Sequence, residues 1–237
     1  MVTEAEVARI LADHFWIVDT PQHRSGWAYD PDLHSVDVWG DCRLSRNLER
    51  LPLRFGRIYG DFNCGGRGLK TLANAPHTVD GSFRAHENQL FDLMGGPKKV
   101  GGDYWCGSNR LESLKGCPRQ IKGNFWAPEN QNLHSLKNGP QQVHGELAVS
   151  GCNLTSLKGL PAQMGAVMID YDPHMPLLSL LNAKEIALES KVGADYTDAT
   201  VAQVAAILNR YAGQGEAGAF ECGAELATAG FKENARW

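Results

Sequence analysis

One phrase, written five times, limits what this chain can fold into more than any other feature. Glycine stands at 60, 81, 102, 123 and 145, at spacings of 21, 21, 21 and 22 residues. Two positions after each comes a large apolar side chain: Phe62, Phe83, Tyr104, Phe125 and Leu147. A leucine follows at Leu69, Leu90, Leu111, Leu133 and Leu154, and a second three residues later at Leu72, Leu93, Leu114, Leu136 and Leu157. Proline comes four further on, at Pro76, Pro97, Pro118, Pro140 and Pro161. Val79, Val100, Ile121, Val143 and Met164 then close the units, with Ile58 ahead of the first. Five copies in one register mean a single supersecondary unit used repeatedly.

From the aliphatic residue through glycine to the aromatic, the pattern alternates with period two, which is strand patterning. The leucine pair at i, i+3 and the proline mark a turn and a return segment. One unit cannot bury its own leucines. Stacked units can, with strands ~4.8 Å apart in a parallel sheet. The predicted fold is therefore an α/β solenoid of about 21 residues per coil. Val36-Asp-Val38-Trp-Gly40-Asp-Cys42-Arg-Leu44, with Leu48, Leu51-Pro52 and Phe55-Gly56, reads as a degenerate first coil.

Helical signals flank the repeats. Thr3 and Glu6 form a capping-box signature, and Val7, Ile10, Leu11 and His14 share a face, so residues 3–15 are predicted as a helix over the first coil. Three more helices are predicted over 177–190, 198–212 and 216–229, the middle one striped by Val201, Val204, Leu208 and Tyr211. The layout expected is a helical cap and loop (1–35), a solenoid (36–172: degenerate coil 36–59, regular coils 60–165) and a C-terminal helical cap (173–237).

The wording Leu147-Ala-Val149-Ser-Gly-Cys152-Asn-Leu154 resembles the leucine-rich-repeat consensus, with Asn88, Asn109 and Cys152 on its asparagine/cysteine position. Arg67 and Gln131 occupy that position elsewhere, and Asn130 can stand in beside the one-residue insertion. The layout from Val36 to Asp41, the Leu51 to Phe55 segment, the glycine-aromatic coils and the tail Asn234-Ala-Arg-Trp237 resembles solenoid proteins encoded by tailed bacteriophages. That resemblance implies a viral accessory protein that binds and modulates a host protein, such as a bacterial defence component, in the host cytoplasm.

Strand alternation also gives a surface map. With the aliphatic residue, the glycine and the aromatic inward, the small residues Cys64, Ala85, Cys106, Ala127 and Val149 point inward too. Two columns point out: Asp61, Ser82, Asp103, Asn124, Glu146, and beside it Asn63, Arg84, Trp105, Trp126, Ala148. Adjacent solvent-facing tryptophans beside an arginine are the residue types that carry interface energy. Arg84, Trp105, Trp126, Asp61, Asp103, Asn124 and Glu146 are accordingly the expected protein-binding face, unless the loop at 16–35 or the C-terminal helices cover it.

A second reading starts from Lys115, Lys137 and Lys158, which stack on successive coils near Lys98, Lys99 and Arg119 and could grip a nucleotide or nucleic acid. The sheet face opposes that. Asp61, Asp80, Asp103 and Glu146 outnumber Arg84 and Lys122 there by two charges. The whole chain, with 23 basic and 27 acidic residues, offers phosphate no general attraction.

No phosphate-binding glycine loop, nucleophile elbow or paired-histidine zinc motif occurs, so no cofactor or metal is expected and the chain reads as a non-enzyme. The alternative is the cluster Asp170, Asp172 and His174, where carboxylates and an imidazole could act as acid and base. The six cysteines lack paired zinc spacing, and Cys222 lies in an alanine- and glycine-rich helix where packing explains it. The N-terminus carries no leader pattern, and no run approaches the ~20 apolar residues of a membrane span.

Overall fold

A computed structural model describes residues 2–191 and 194–237. The repeats wind into a parallel-sheet β-solenoid of about seven turns, roughly 21 residues per coil. The first part comprises helix α1 (Glu4–His14), β1 (Phe15–Val18), β2 (Gly26–Asp30), β3 (Ser35–Trp39), β4 (Asp41–Leu44) and β5 (Phe55–Ile58). Regular coils then contribute short two-residue strands. These are β6 (Phe62–Asn63), β7 (Thr78–Val79), β8 (Phe83–Arg84), β9 (Lys99–Val100), β10 (Tyr104–Trp105), β11 (Gln120–Ile121) and β12 (Phe125–Trp126). Longer strands close the solenoid: β13 (Gln142–Ala148), β14 (Gln163–Asp170) and β15 (Ala183–Glu189), followed by α2 (Asp198–Arg210) and α3 (Glu216–Thr228).

Two sheets result. The larger, of ten strands, runs β1-β4-β6-β8-β10-β12-β13-β14-β15, with β11 joined to β13; the smaller runs β2-β3-β5-β7-β9. The aliphatic-to-aromatic stretch, expected as one strand, is thus two short strands in the middle coils. Backbone hydrogen bonding explains the corner. In the smaller sheet a coil donates backward, as from Asp80 N–H to Ile58 O and from Gly81 N–H to Gly60 O. In the larger sheet it donates forward, as from Phe83 N–H to Asp103 O. Where the direction reverses, the Ser82 N–H takes a side chain as its acceptor: Asp61 Oδ1 of the preceding coil, at 2.8 Å.

The same bond recurs along the stack. Asp41 Oδ1 receives the Asp61 N–H at 2.8 Å, Ser82 Oγ that of Asp103 at 3.1 Å, Asp103 Oδ1 that of Asn124 at 2.8 Å, and Asn124 Oδ1 that of Glu146 at 2.8 Å. This ladder corrects the expected role of the repeated glycine. A Cβ on Gly81 would stand 2.2 Å from Asp61 Oδ1, so the glycine clears space for its neighbour's side chain and does not fill the interior.

Inside, the inward columns pack as expected. Phe62, Phe83, Tyr104 and Phe125 are buried and stack at centroid distances of 5.9, 5.0 and 5.6 Å. The leucine pairs of the first four regular coils are buried, while in the last Leu157 is only partly so. Asn88, Asn109 and Asn130 form an internal ladder. Asn109 is typical: Oδ1 accepts the Leu90 N–H at 3.1 Å, and Nδ2 faces the carbonyls of Ala85, Cys106 and Gly107. Asn130 does take the place of Gln131, and Cys152 continues the column by pointing Sγ at Ala127 O.

At the ends, α1 carries the expected capping box and buries Val7 and Leu11. The segment expected as a loop at 16–35 contains most of β1 and all of β2, which add antiparallel to β4 and β3. The predicted helix at 177–190 is instead a 3-10 turn, Leu178–Asn182, followed by β15. Ile186 pairs there with Val167, so the parallel sheet gains one strand beyond the repeats. The other two predicted helices are present. In α2, Val201, Val204, Ile207 and Leu208 are buried, while Tyr211 follows as the C-cap residue and is only partly so. Asn234, in the tail, is buried and accepts the Tyr171 hydroxyl at 2.9 Å.

Candidate functional site

Pairing register places one outward row across the larger sheet: Trp16, Arg43, Asn63, Arg84, Trp105, Trp126 and Ala148. Its centre is held by direct contacts. Trp105 stacks on the His86 imidazole at 4.0 Å and meets Trp126 edge to face at 5.9 Å. The Trp126 indole donates Nε1–H to Glu146 at 2.8 Å. Arg84 is ion-paired with Asp61 at 2.6 Å.

These side chains are half-buried, and their aromatic and hydrogen-bonding partners belong to neighbouring coils. The N-terminal strands lie at one end of the stack, and β13 and β14 separate the tryptophan pair from β15 and the helix that packs on it. Indole rings pinned on both sides lose little conformational entropy on contact with another surface. At the N-terminal end of the row Trp16 is 58% exposed beneath the Arg43 guanidinium, 5.8 Å from its ring.

Not every expected site residue faces outward freely. Asp61, Asp103 and Asn124 each spend an oxygen on a backbone amide of the next coil, and Glu146 accepts from an indole. The expected acidic face also divides. Asp80 and Lys122 line a separate groove with Arg57 and Lys99, leaving Asp61, Asp103 and Glu146 against Arg84 over the central coils of the larger sheet. That surface remains acidic and aromatic.

The expected basic residues lie on exposed turns and, for Lys99, on the smaller sheet. Lys115, Lys137 and Lys158 are exposed on turns, where Ser113 and Ser156 hydroxyls hold the amides of Lys115 and Lys158. Lys98 donates to Gly116 O at 3.1 Å, Arg119 is exposed beside β11, and Lys99 lies on β9 in the smaller sheet. Asp170, Asp172 and His174 do not converge. Asp170 accepts the Gly151 N–H, with its carboxyl pushed up by burial, whereas Asp172 accepts the His174 backbone N–H in a tight turn. Among the described residues, no group of three or more metal-ligating side chains is placed to hold an ion.

Five of the six cysteines are buried, and Cys117 is partly so. Burial pushes the Cys64 thiol up to about 12 and the Cys222 thiol up to about 11, so neither offers a thiolate near neutral pH. Sequence reasoning missed His86, Arg43 and Trp16. His86 lies two residues beyond Arg84 and so continues the outward period, which was the available signal. Among the described residues, no helix is long and apolar enough to cross a membrane. Comparison of the chain with protein-family models, curated proteins and solved structures finds no match.

Proposed function

We propose that this protein is a non-enzymatic, leucine-rich-repeat-like binding protein whose terminal helices cap the solenoid and whose larger sheet docks a protein partner. The observation that carries this is the Trp105–Trp126 pair, half-exposed at the middle of a ten-stranded face and fixed by His86 and Glu146. Tryptophan and arginine dominate the energetics of protein interfaces, and an anchor held in one geometry before contact binds at low entropic cost. The acidic surround formed by Asp61, Asp103 and Glu146 disfavours a phosphate backbone on this face. The further proposal that the partner is a bacterial host protein, met in the host cytoplasm, rests on the bacteriophage resemblance.

Salt dependence tests the assignment. A partner co-purified from bacterial lysate should stay bound from low to physiological salt, and should be indifferent to removal of Lys115, Lys137 and Lys158. Binding that falls steeply with salt and disappears with those lysines would assign the protein to phosphate recognition instead.

A further inference from the structure

The face across the glycine corner has a different chemistry. Arg57, Thr78 and Lys99 stand in register on the smaller sheet, with Gln120 at the start of β11 one coil further on, and Tyr59, Asp80, Gly101 and Lys122 make a second row beside them. Between them lies a groove of about 550 Å³, floored by Val79, Val100 and Gly101. Three cations line it against one carboxylate. Arg57 is held in place: its guanidinium lies 4.5 Å from the Tyr59 ring and grips both Asp80 oxygens at 2.8–3.2 Å. A fork engaged in this way has the geometry that receives phosphate oxygens. Lys99 and Lys122 are exposed on adjacent coils, and among the described residues neither lies within ion-pairing distance of a carboxylate.

We propose that this groove is a binding site for a small ligand carrying two or more phosphoryl groups, with Lys99 and Lys122 holding one end and Arg57 the other. Arg57 and Lys99 stand two coils apart in one row, roughly 10 Å at the usual strand spacing, a span that suits linked phosphates better than a single one. The groove's volume is that of a small-molecule site. A long nucleic acid is disfavoured because the cations stop: Gln142 and Gln163 continue the first row, and Asp37 lies on the strand before Arg57. Asp80 acts as an internal competitor for the fork, so its removal should strengthen the site.

Calorimetric titration of the full chain with inorganic pyrophosphate tests this, with ADP as a second probe to separate a bare polyphosphate from a nucleotide. Binding at one site per chain is expected, weakened tenfold or more in Lys99→Ala/Lys122→Ala. It should change less than twofold in Lys115→Ala/Lys137→Ala/Lys158→Ala. Asp80→Asn should tighten binding severalfold, a change of sign that a misfolded variant does not produce. Absence of saturable binding to either probe overturns the proposal, as does equal loss in the two lysine variants or weaker binding in Asp80→Asn.

Discussion

Asp61 holds Arg84 across one coil at 2.6 Å through Oδ2 while its Oδ1 accepts the N–H of Ser82 at 2.8 Å. One carboxylate therefore serves the backbone and the surface together. The acidic column, which looks like an interaction surface in the sequence, is first the means by which a strand ladder that reverses direction keeps its amides paired. Substitutions in it should register in stability before they register in binding. Asp103→Ala, which leaves the Asn124 N–H without its acceptor, should cost about 1–3 kcal/mol in urea unfolding. Asp103→Asn preserves an acceptor oxygen and should cost well under half of that. Equal losses would show that the carboxylate's charge matters and not its hydrogen bond.

Each coil also holds a left-handed residue two positions after its small inward one. Gly66 and Gly151 fill this position at φ 65° and 69°, but Glu87, Ser108 and Glu129 fill it at 53°, 51° and 58°. A non-glycine residue there costs roughly 1–2 kcal/mol, partly offset because glycine has more entropy to lose on folding. Glu87→Gly and Ser108→Gly should each stabilise the protein by about 0.5–1 kcal/mol, measured as a rise in melting temperature. A fall at both would mean that their side chains make contacts outweighing the backbone strain.

Tyr104 is the one tyrosine in a column otherwise formed by Phe62, Phe83, Phe125 and Leu147. Its ring is fully buried, its hydroxyl has no hydrogen-bonding partner among the described residues, and burial pushes the phenol well above its usual range. Tyr104→Phe should raise stability by about 1 kcal/mol in the same unfolding assay. Destabilisation would mean that the hydroxyl is satisfied in solution.

His86 gives the face a pH dependence. Burial against Trp105 holds the imidazole below its usual value of about 6.5, with Glu87 opposing and Arg84 assisting. Because the folded state binds a proton less readily than the unfolded one, this contribution is complete above the unfolded value and declines as pH falls toward the folded one. The melting temperature should therefore drop between about pH 7 and 5 by more in the natural protein than in His86→Gln. Identical profiles would remove His86 as the cause.

Much of the core was legible in the sequence because a period of 21 leaves little freedom: the aromatic column, the leucine pairs and the asparagine ladder, including Asn130 in place of Gln131, fall where spacing puts them. The corner at the glycines of the middle coils was not legible. Alternation continues through Val79-Asp-Gly-Ser-Phe83, and only the reversal of hydrogen bonding breaks the strand there. The segment 177–190 misled for a related reason. Its Leu177, Leu178, Leu180 and Leu181 suit a helix as well as a tight turn, and pairing of Ile186 with Val167, a tertiary contact, decides for a strand. The tryptophan pair was placed from sequence, but its fixation by His86 and Glu146 depends on contacts between coils. The groove at Lys99 depends on which sheet each residue joins, and one merged face conceals that division.

Whether the tryptophan pair serves binding and not folding is decided by Trp105→Ala/Trp126→Ala, with partner binding and thermal unfolding measured on the same sample. Binding of the co-purified partner should weaken at least a hundredfold, with the melting temperature lowered by no more than a few degrees, because both rings lie on the outward side of the sheet and are only partly buried. Retained binding, or loss of the cooperative unfolding transition, would contradict the binding role.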